Sequence, residues 1–169
     1  MKTTDTHIYF WSGPFSNWDE SVFEYEGHTF QNSEQAFMWE KANFFRDEEI
    51  ADKILHAPDP RVNKELGREV KNFNKQKWDE ASLVLMVKVC KAKFSQSRIH
   101  NTALKESGKR ILVEASPTDN IWGVGLHEND DLILDKKNWK GKNWLGIALM
   151  EVRNILFNDD GSAILRYMT

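Results

Sequence analysis

Apolar positions along this chain change period from one stretch to the next, and the changes mark the elements. Ile8 to Trp11 is a short apolar and aromatic run that reads as a strand. Val22 to Tyr25 and His28 to Phe30 flank Glu26-Gly27, the pattern of a hairpin with a tight turn. A helix starts near Asn32, with Gln35 three residues on in the manner of a capping box, and runs to about Phe45. Asp47 can cap a second helix through Leu55, which Ala57-Pro58 ends. Asp59-Pro60 opens a third, with proline in the tolerated first turn, running to about Val70.

The longest helix is expected from Lys75 to about Ser95. Trp78, Ala81, Leu85, Val89 and Ala92 recur at steps of three and four. Leu83, Val84 and Val87 widen that face beyond one stripe, so the helix reads as central. A shorter helix covers Ile99 to Glu106, with Gly108 past its end. Ile111 to Ala115 is strand-like, Asn129 to Lys142 reads as a polar surface loop, and a last helix runs from about Asn143 to Leu156. The expected fold is α+β: a helix-rich single domain over residues 1–169 with a small antiparallel sheet. Its core lies at about 8–156, and a short C-terminal tail follows.

Composition narrows the function. A chain of 169 residues suits one domain with a sizeable core, and 40% hydrophobic with 29% charged residues suits a soluble one. A formal net charge of −3 speaks against a protein whose main task is holding duplex DNA, though a local basic patch stays open. The single cysteine, Cys90, cannot form an internal disulfide and reads as a small core residue. Met1 to His7 has no hydrophobic signal core, and no apolar run approaches a membrane span. The expected location is the cytoplasm, away from membranes. The five histidines show no ligand spacing, so neither a metal site nor a cofactor is expected.

Chemistry concentrates in Ser116-Pro117-Thr118-Asp119-Asn120-Ile121-Trp122-Gly123-Val124-Gly125-Leu126. Here a carboxylate precedes an indole by three residues. Asp119 can act on a reacting centre, Trp122 can stack on a base or sugar, and Gly123 and Gly125 let the main chain approach a ligand. The competing reading is a tight turn whose Trp122 plugs the core. On the first helix, Glu34 lies in the first turn, where it can simply complement the helix dipole. Lys41 is seven residues on, on nearly the same face and about 10 Å along the axis. That separation suits two groups reaching one ligand between them. Lysines of this kind are more often solvated, but beside Phe37 and Phe45 this one can be desolvated and nucleophilic. Ser16 and Asn17 can bind a ligand or shape a turn. Arg68 can hold a phosphate or lie on a solvated face. Asn143 can cap the last helix or sit at a phosphate site at its start.

Taken together these residues resemble the NADAR family, also called YbiA-like. The resemblance runs in order through Tyr9-Phe10, Phe15-Ser16-Asn17, Ser33-Glu34, Lys41, Leu66-Gly67-Arg68-Glu69-Val70, Trp78 and Ala92-Lys93-Phe94. It continues through Leu112-Val113-Glu114, Ser116 to Asp119, Trp122 to Leu126, Gly141-Lys142-Asn143, Leu145-Gly146 and Leu149 to Arg153. It implies N-glycoside hydrolysis on a ribosyl-phosphate or ADP-ribosyl substrate. The substrate would be a riboflavin-pathway ribosylamine phosphate or an ADP-ribosylated guanine base in nucleic acid. The chain departs from the family at Gln35, where many members carry histidine, and at Trp144, where some carry arginine. On this reading Glu34, Lys41 and Asp119 are catalytic. Ser16, Asn17, Arg68, Trp78, Trp122, Gly123, Gly125 and Asn143 bind substrate. Glu34, Lys41, Asp119 and Trp122 are expected around one ribosyl nitrogen. The rival expectation is a non-catalytic ADP-ribose or nucleotide-binding module.

Overall fold

The structure is a computed structural model and describes residues 1–158. It is an α+β fold of five short strands and six helices among the described residues. The chain divides into two compact units. One joins Met1–Ser16 to the chain from Arg98 onward, and the other is Asn17–Ser97.

In the first unit, β1 (Lys2–Thr3), β2 (His7–Phe10) and β5 (Ile111–Glu114) form a three-stranded sheet in the order β1-β2-β5. β1 pairs with β2 antiparallel, but β2 pairs with β5 parallel, His7 opposite Ile111 and Phe10 opposite Glu114. The expectation of a small antiparallel sheet therefore needs correction here. A parallel neighbour requires a long crossover, and the hundred residues separating β2 from β5 supply it. Helix α6 (Trp144–Phe157) packs on β5, and α5 (Arg98–Glu106) packs on α6. Buried Arg153 on α6 ties these parts together through Nη1, which donates to Ser107 Oγ at 2.7 Å and to the Arg110 carbonyl at 3.0 Å. The 129–142 stretch is more ordered than a surface loop. It forms 3₁₀ turns at Asp131–Leu134 and Lys136–Asn138, buries Ile133 completely, and sets Trp139 Nε1 on the Ile133 carbonyl.

The second unit opens with the antiparallel hairpin β3 (Phe23–Tyr25) and β4 (His28–Phe30). Glu26 and Gly27 both have positive φ, as a two-residue type I′ turn requires. Four helices follow: α1 (Ser33–Phe44), α2 (Glu48–Leu55), α3 (Pro60–Glu69) and α4 (Lys75–Gln96). Asn32, Asp47, Asp59 and Asn74 cap them in turn, the first three being the starts read from the sequence. α1 packs on α2, α3 and α4, which places it at the centre of the unit. Phe23, Phe30, Ala36 and Val89 close the core between hairpin, α1 and α4.

The buried face of α4 overlaps only in part with the one its apolar spacing suggests: Trp78 and Val89 are buried, but Ala81, Leu85 and Ala92 are half-buried. Val84 is 60% exposed, while Ser82 and Lys93 are buried with Trp78, Met86, Val89, Cys90 and Phe94. A pattern built on apolar residues alone passes over a buried serine and a buried lysine, and so rotates the predicted stripe.

Candidate functional site

In the second unit, Glu34 sits in the first turn of α1, where its backbone N–H donates to the Asn17 carbonyl at 3.0 Å. Its side chain is buried, and its negative charge favours the ammonium form of Lys41. Asn17 also directs its side-chain amide at Met86 Sδ, 3.6 Å away. The loop after Ser16 is thus tied to α1 and to α4. Ser16 is itself buried, and its N–H closes a turn onto the Gly13 carbonyl in the first unit.

Lys41 lies one turn from the end of α1. Its Nζ donates to the Gly67 carbonyl of α3 at 2.6 Å. It stands 4.5 Å from the centroid of the Phe73 ring and 6.0 Å from that of Trp78. Burial lowers its pKa below the usual lysine value. Glu34 opposes that shift, and the positive charge of Arg68 adds to it. Desolvation leads among these causes, as expected for an amine set against rings. Phe37 and Phe45, the neighbours suggested by the sequence, pack on Trp78, with centroids 5.2 and 6.1 Å away. They back the ring behind the amine, and Phe73 faces the amine itself.

The α3–α4 connection presents Phe73. Lys71 N–H donates to Asp47 Oδ2 at 2.8 Å, while the other oxygen of Asp47 caps α2. Asn72 takes a left-handed conformation at φ 59. One acidic side chain thereby fixes the start of α2 and the loop that brings Phe73 to Lys41. Phe44 is 41% and Phe73 47% exposed, so one large ring beside Trp78 and one beside the amine face solvent. Phe73 is only faintly marked in the sequence. Its signal was a lone aromatic among Lys71, Asn72, Asn74 and Lys75.

Gln35, where the chain departs from the family pattern, is 1% exposed and acts as a brace. Its Oε1 accepts from Gln31 N–H at 2.8 Å, and its Nε2 donates to the carbonyls of Ile54 and Ala57 at 2.9 and 3.1 Å. It joins α1 to the α2–α3 connection.

In the first unit, Asp119 Oδ1 accepts from the N–H groups of Ile121 and Trp122 at 2.9 and 2.8 Å. This carboxylate shapes its own turn. The Trp122 ring meets Trp144 edge to face, centroids 5.7 Å apart, and Lys142 Nζ lies 4.8 Å from the Trp144 centroid. The loop's own chain accounts for its glycines. A Cβ on Gly123 would stand 2.9 Å from Ser116 Cβ, and one on Gly125, at φ 73, would stand 2.5 Å from Asn120 Oδ1.

Asn143 does not cap α6 through its side chain. It is fully buried and left-handed, with Oδ1 accepting from Glu114 N–H and Nδ2 donating to the Leu112 carbonyl, both at 2.9 Å. The N–H groups of Gly141, Lys142 and Asn143 donate to the carbonyls of Val124, Asn120 and Gly123. The expected phosphate site at this turn therefore finds its backbone donors already engaged. Among the described residues no group of three or more His, Cys, Asp or Glu side chains gathers at metal-binding distance, and no helix is long and apolar enough to cross a membrane.

A sequence model of the NADAR domain matches residues 9–157. The chain belongs to the NADAR family. Protein irg-1 of Caenorhabditis elegans is 42% identical over 130 residues, which are 76% of this chain and 61% of that protein. The chain therefore spans less than two thirds of that relative. N-glycosidase R617 of Acanthamoeba polyphaga mimivirus is 37% identical over 82% of this chain and 85% of its own. N-glycosidase YbiA of Escherichia coli K12 is 32% identical over 90% and 89%. The solved structure of E. coli YbiA superimposes with a TM-score of 0.74 at 29% identity, covering 99% of this chain and 91% of that one. At the level of the family, the NADAR assignment carries an enzyme class: a hydrolase acting on N-glycosyl bonds.

Proposed function

We propose that this NADAR chain hydrolyses the bond between ribose C1 and an exocyclic amine, with Lys41 as the nucleophile. The substrates that fit are ADP-ribosylated guanine bases and ribosylamine phosphates of the riboflavin pathway. The observation that carries this reading is the setting of Lys41: an amine against two aromatic rings, its pKa lowered by burial, within the field of the buried Glu34 carboxylate. An amine so placed reaches its neutral, nucleophilic form at lower pH than a surface lysine.

The steps balance without a cofactor. The nitrogen lone pair of the glycosylamine opens the ribose ring, breaking the bond from C1 to the ring oxygen and leaving an imine at C1. Neutral Lys41 adds to C1, the substrate amine leaves with a proton, and Lys41 is joined to C1 as an iminium. Water adds to that carbon and expels Lys41, and the aldehyde recloses to ribose. Glu34 is suited to carry the protons, being the carboxylate whose charge reaches Lys41. Arg68 and Trp78 keep their binding assignments beside it. Asp119 and Trp122 keep theirs as proposals. We also propose that the chain works as one domain, since the family match runs through both units. The cytoplasm suits its one buried free cysteine.

The test is to incubate the protein with ADP-ribosylated guanosine and with a riboflavin-pathway ribosylamine, and to follow released base by chromatography. Borohydride added during turnover is expected to trap the ribosyl carbon on Lys41. Lys41→Arg is expected to abolish turnover and keep binding, since arginine stays protonated at working pH. An arginine variant working at near wild-type rate would sink the covalent route. Tight ADP-ribose binding without turnover of either substrate would favour a binding module.

A further inference from the structure

The hydrogen bond from Lys41 to the Gly67 carbonyl depends on how closely α3 approaches α1. At the crossing, an added Cβ on Gly67 would stand 2.1 Å from Met38 Sδ, 3.1 Å from its Cγ and 3.6 Å from its Cβ. Turning the thioether away relieves the first contact, while the second also asks Cγ to shift by a few tenths of an ångström. A methyl group at position 67 must push the Met38 side chain aside, and the carbonyl that reaches Lys41 Nζ belongs to the same residue.

We propose that Gly67 is a positioning residue for Lys41: its carbonyl orients the neutral amine and then holds the iminium formed at C1. This rests on the reading of Lys41 as the nucleophile. A carbonyl oxygen only accepts. A neutral amine that donates one N–H to Gly67 must therefore direct its lone pair elsewhere, and attack needs a directed lone pair. After condensation the nitrogen bears one hydrogen and a positive charge. That hydrogen can remain on Gly67, where the carbonyl dipole stabilises the charge as it develops. A mobile surface lysine lacks such an anchor. Glu34 on α1 and Arg68 on α3 are charged groups that also act on Lys41, the first favouring and the second opposing its ammonium form.

Gly67→Ala tests the anchor, with Gly67→Ala/Met38→Ala as its companion, because shortening Met38 frees space for the added methyl group. Gly67→Ala is expected to lower kcat at least about tenfold with KM little changed, the pattern of an interaction made during reaction. It is also expected to move the pH at which kcat/KM rises downward, since the ammonium form loses an acceptor. Borohydride trapping on Lys41 should fall with kcat. The double variant is expected to recover most of kcat, trapping and the wild-type pH profile. If Gly67→Ala is folded and keeps wild-type kcat and pH profile while wild type still traps, the anchor is overturned and the nucleophile stands. If wild type yields no adduct, the nucleophile and the anchor fall together. A double variant that folds yet stays as slow as Gly67→Ala also overturns the proposal, because space would then not be the cause.

Discussion

Lys41 Nζ stands 4.5 Å from the centroid of Phe73, and that ring remains 47% exposed. Phe73 affects the amine in two opposite ways. Its bulk keeps water away and favours the neutral form, while its π face attracts the ammonium form. An exposed cation–π contact is worth about 0.5–1 kcal/mol. Leucine preserves most of the bulk and removes the π face, so Phe73→Leu is expected to lower the pH at which kcat/KM rises. Phe73→Ala admits water and is expected to raise it. Two pH–rate profiles decide the matter, and shifts in the same direction would refute this account of the ring.

Lys93 is fully buried on α4, and burial lowers its pKa to about 8 against a small opposing pull from Cys90 and Asp19. Between about pH 8 and the 10.5 of an ordinary lysine, the unfolded chain binds more protons at this site than the folded one. Stability therefore rises with pH in that window. Cys90, pushed up by burial to about 12, works the other way above its ordinary 9.0, so the clean interval is pH 8 to 9. Urea unfolding is expected to show a gain of about 1 kcal/mol from Lys93 across that interval. Lys93→Met should remove most of this slope and leave only what Lys41 contributes. A variant with the wild-type slope would show that Lys93 is not the titrating group.

Asn143 joins the start of α6 to β5 through two hydrogen bonds, one buried and one partly so. Asn143→Ala strands the Glu114 N–H and the Leu112 carbonyl, which is expected to cost about 2–4 kcal/mol in chemical denaturation. Asn143→Gly loses the same bonds but relieves the left-handed backbone, so it should be about 1 kcal/mol less damaging. Equal losses would show that the φ of 54 at this position carries no strain.

The second unit was legible in the sequence because local chemistry sets its boundaries. Asn32, Asp47, Asp59 and Asn74 satisfy helix N–H groups within a few residues, and Glu26-Gly27 closes its hairpin without outside help. Signals of that range survive in a single chain read from one end to the other. The pairing of β2 with β5 does not, because a parallel neighbour a hundred residues away leaves no local mark. The buried stripe of α4 is legible only in part for a related reason. Lys93 looks like a surface residue until its neighbours are known.

Sequence alone therefore determined the helices, the hairpin and the family resemblance, and named Lys41 and Glu34 as candidates, since residue type and spacing carry these. It could not set the chemical state of either side chain. A lysine's proton affinity follows from what lies within a few ångströms of it. For Lys41 that means Gly67, Phe73 and Trp78, residues 26 to 37 positions away along the chain and brought near by the packing of α3 and α4. Only the tertiary structure decided that this amine is desolvated, that Gln35 is a brace, and that Asn143 is a latch, because each depends on distances that chain order does not encode.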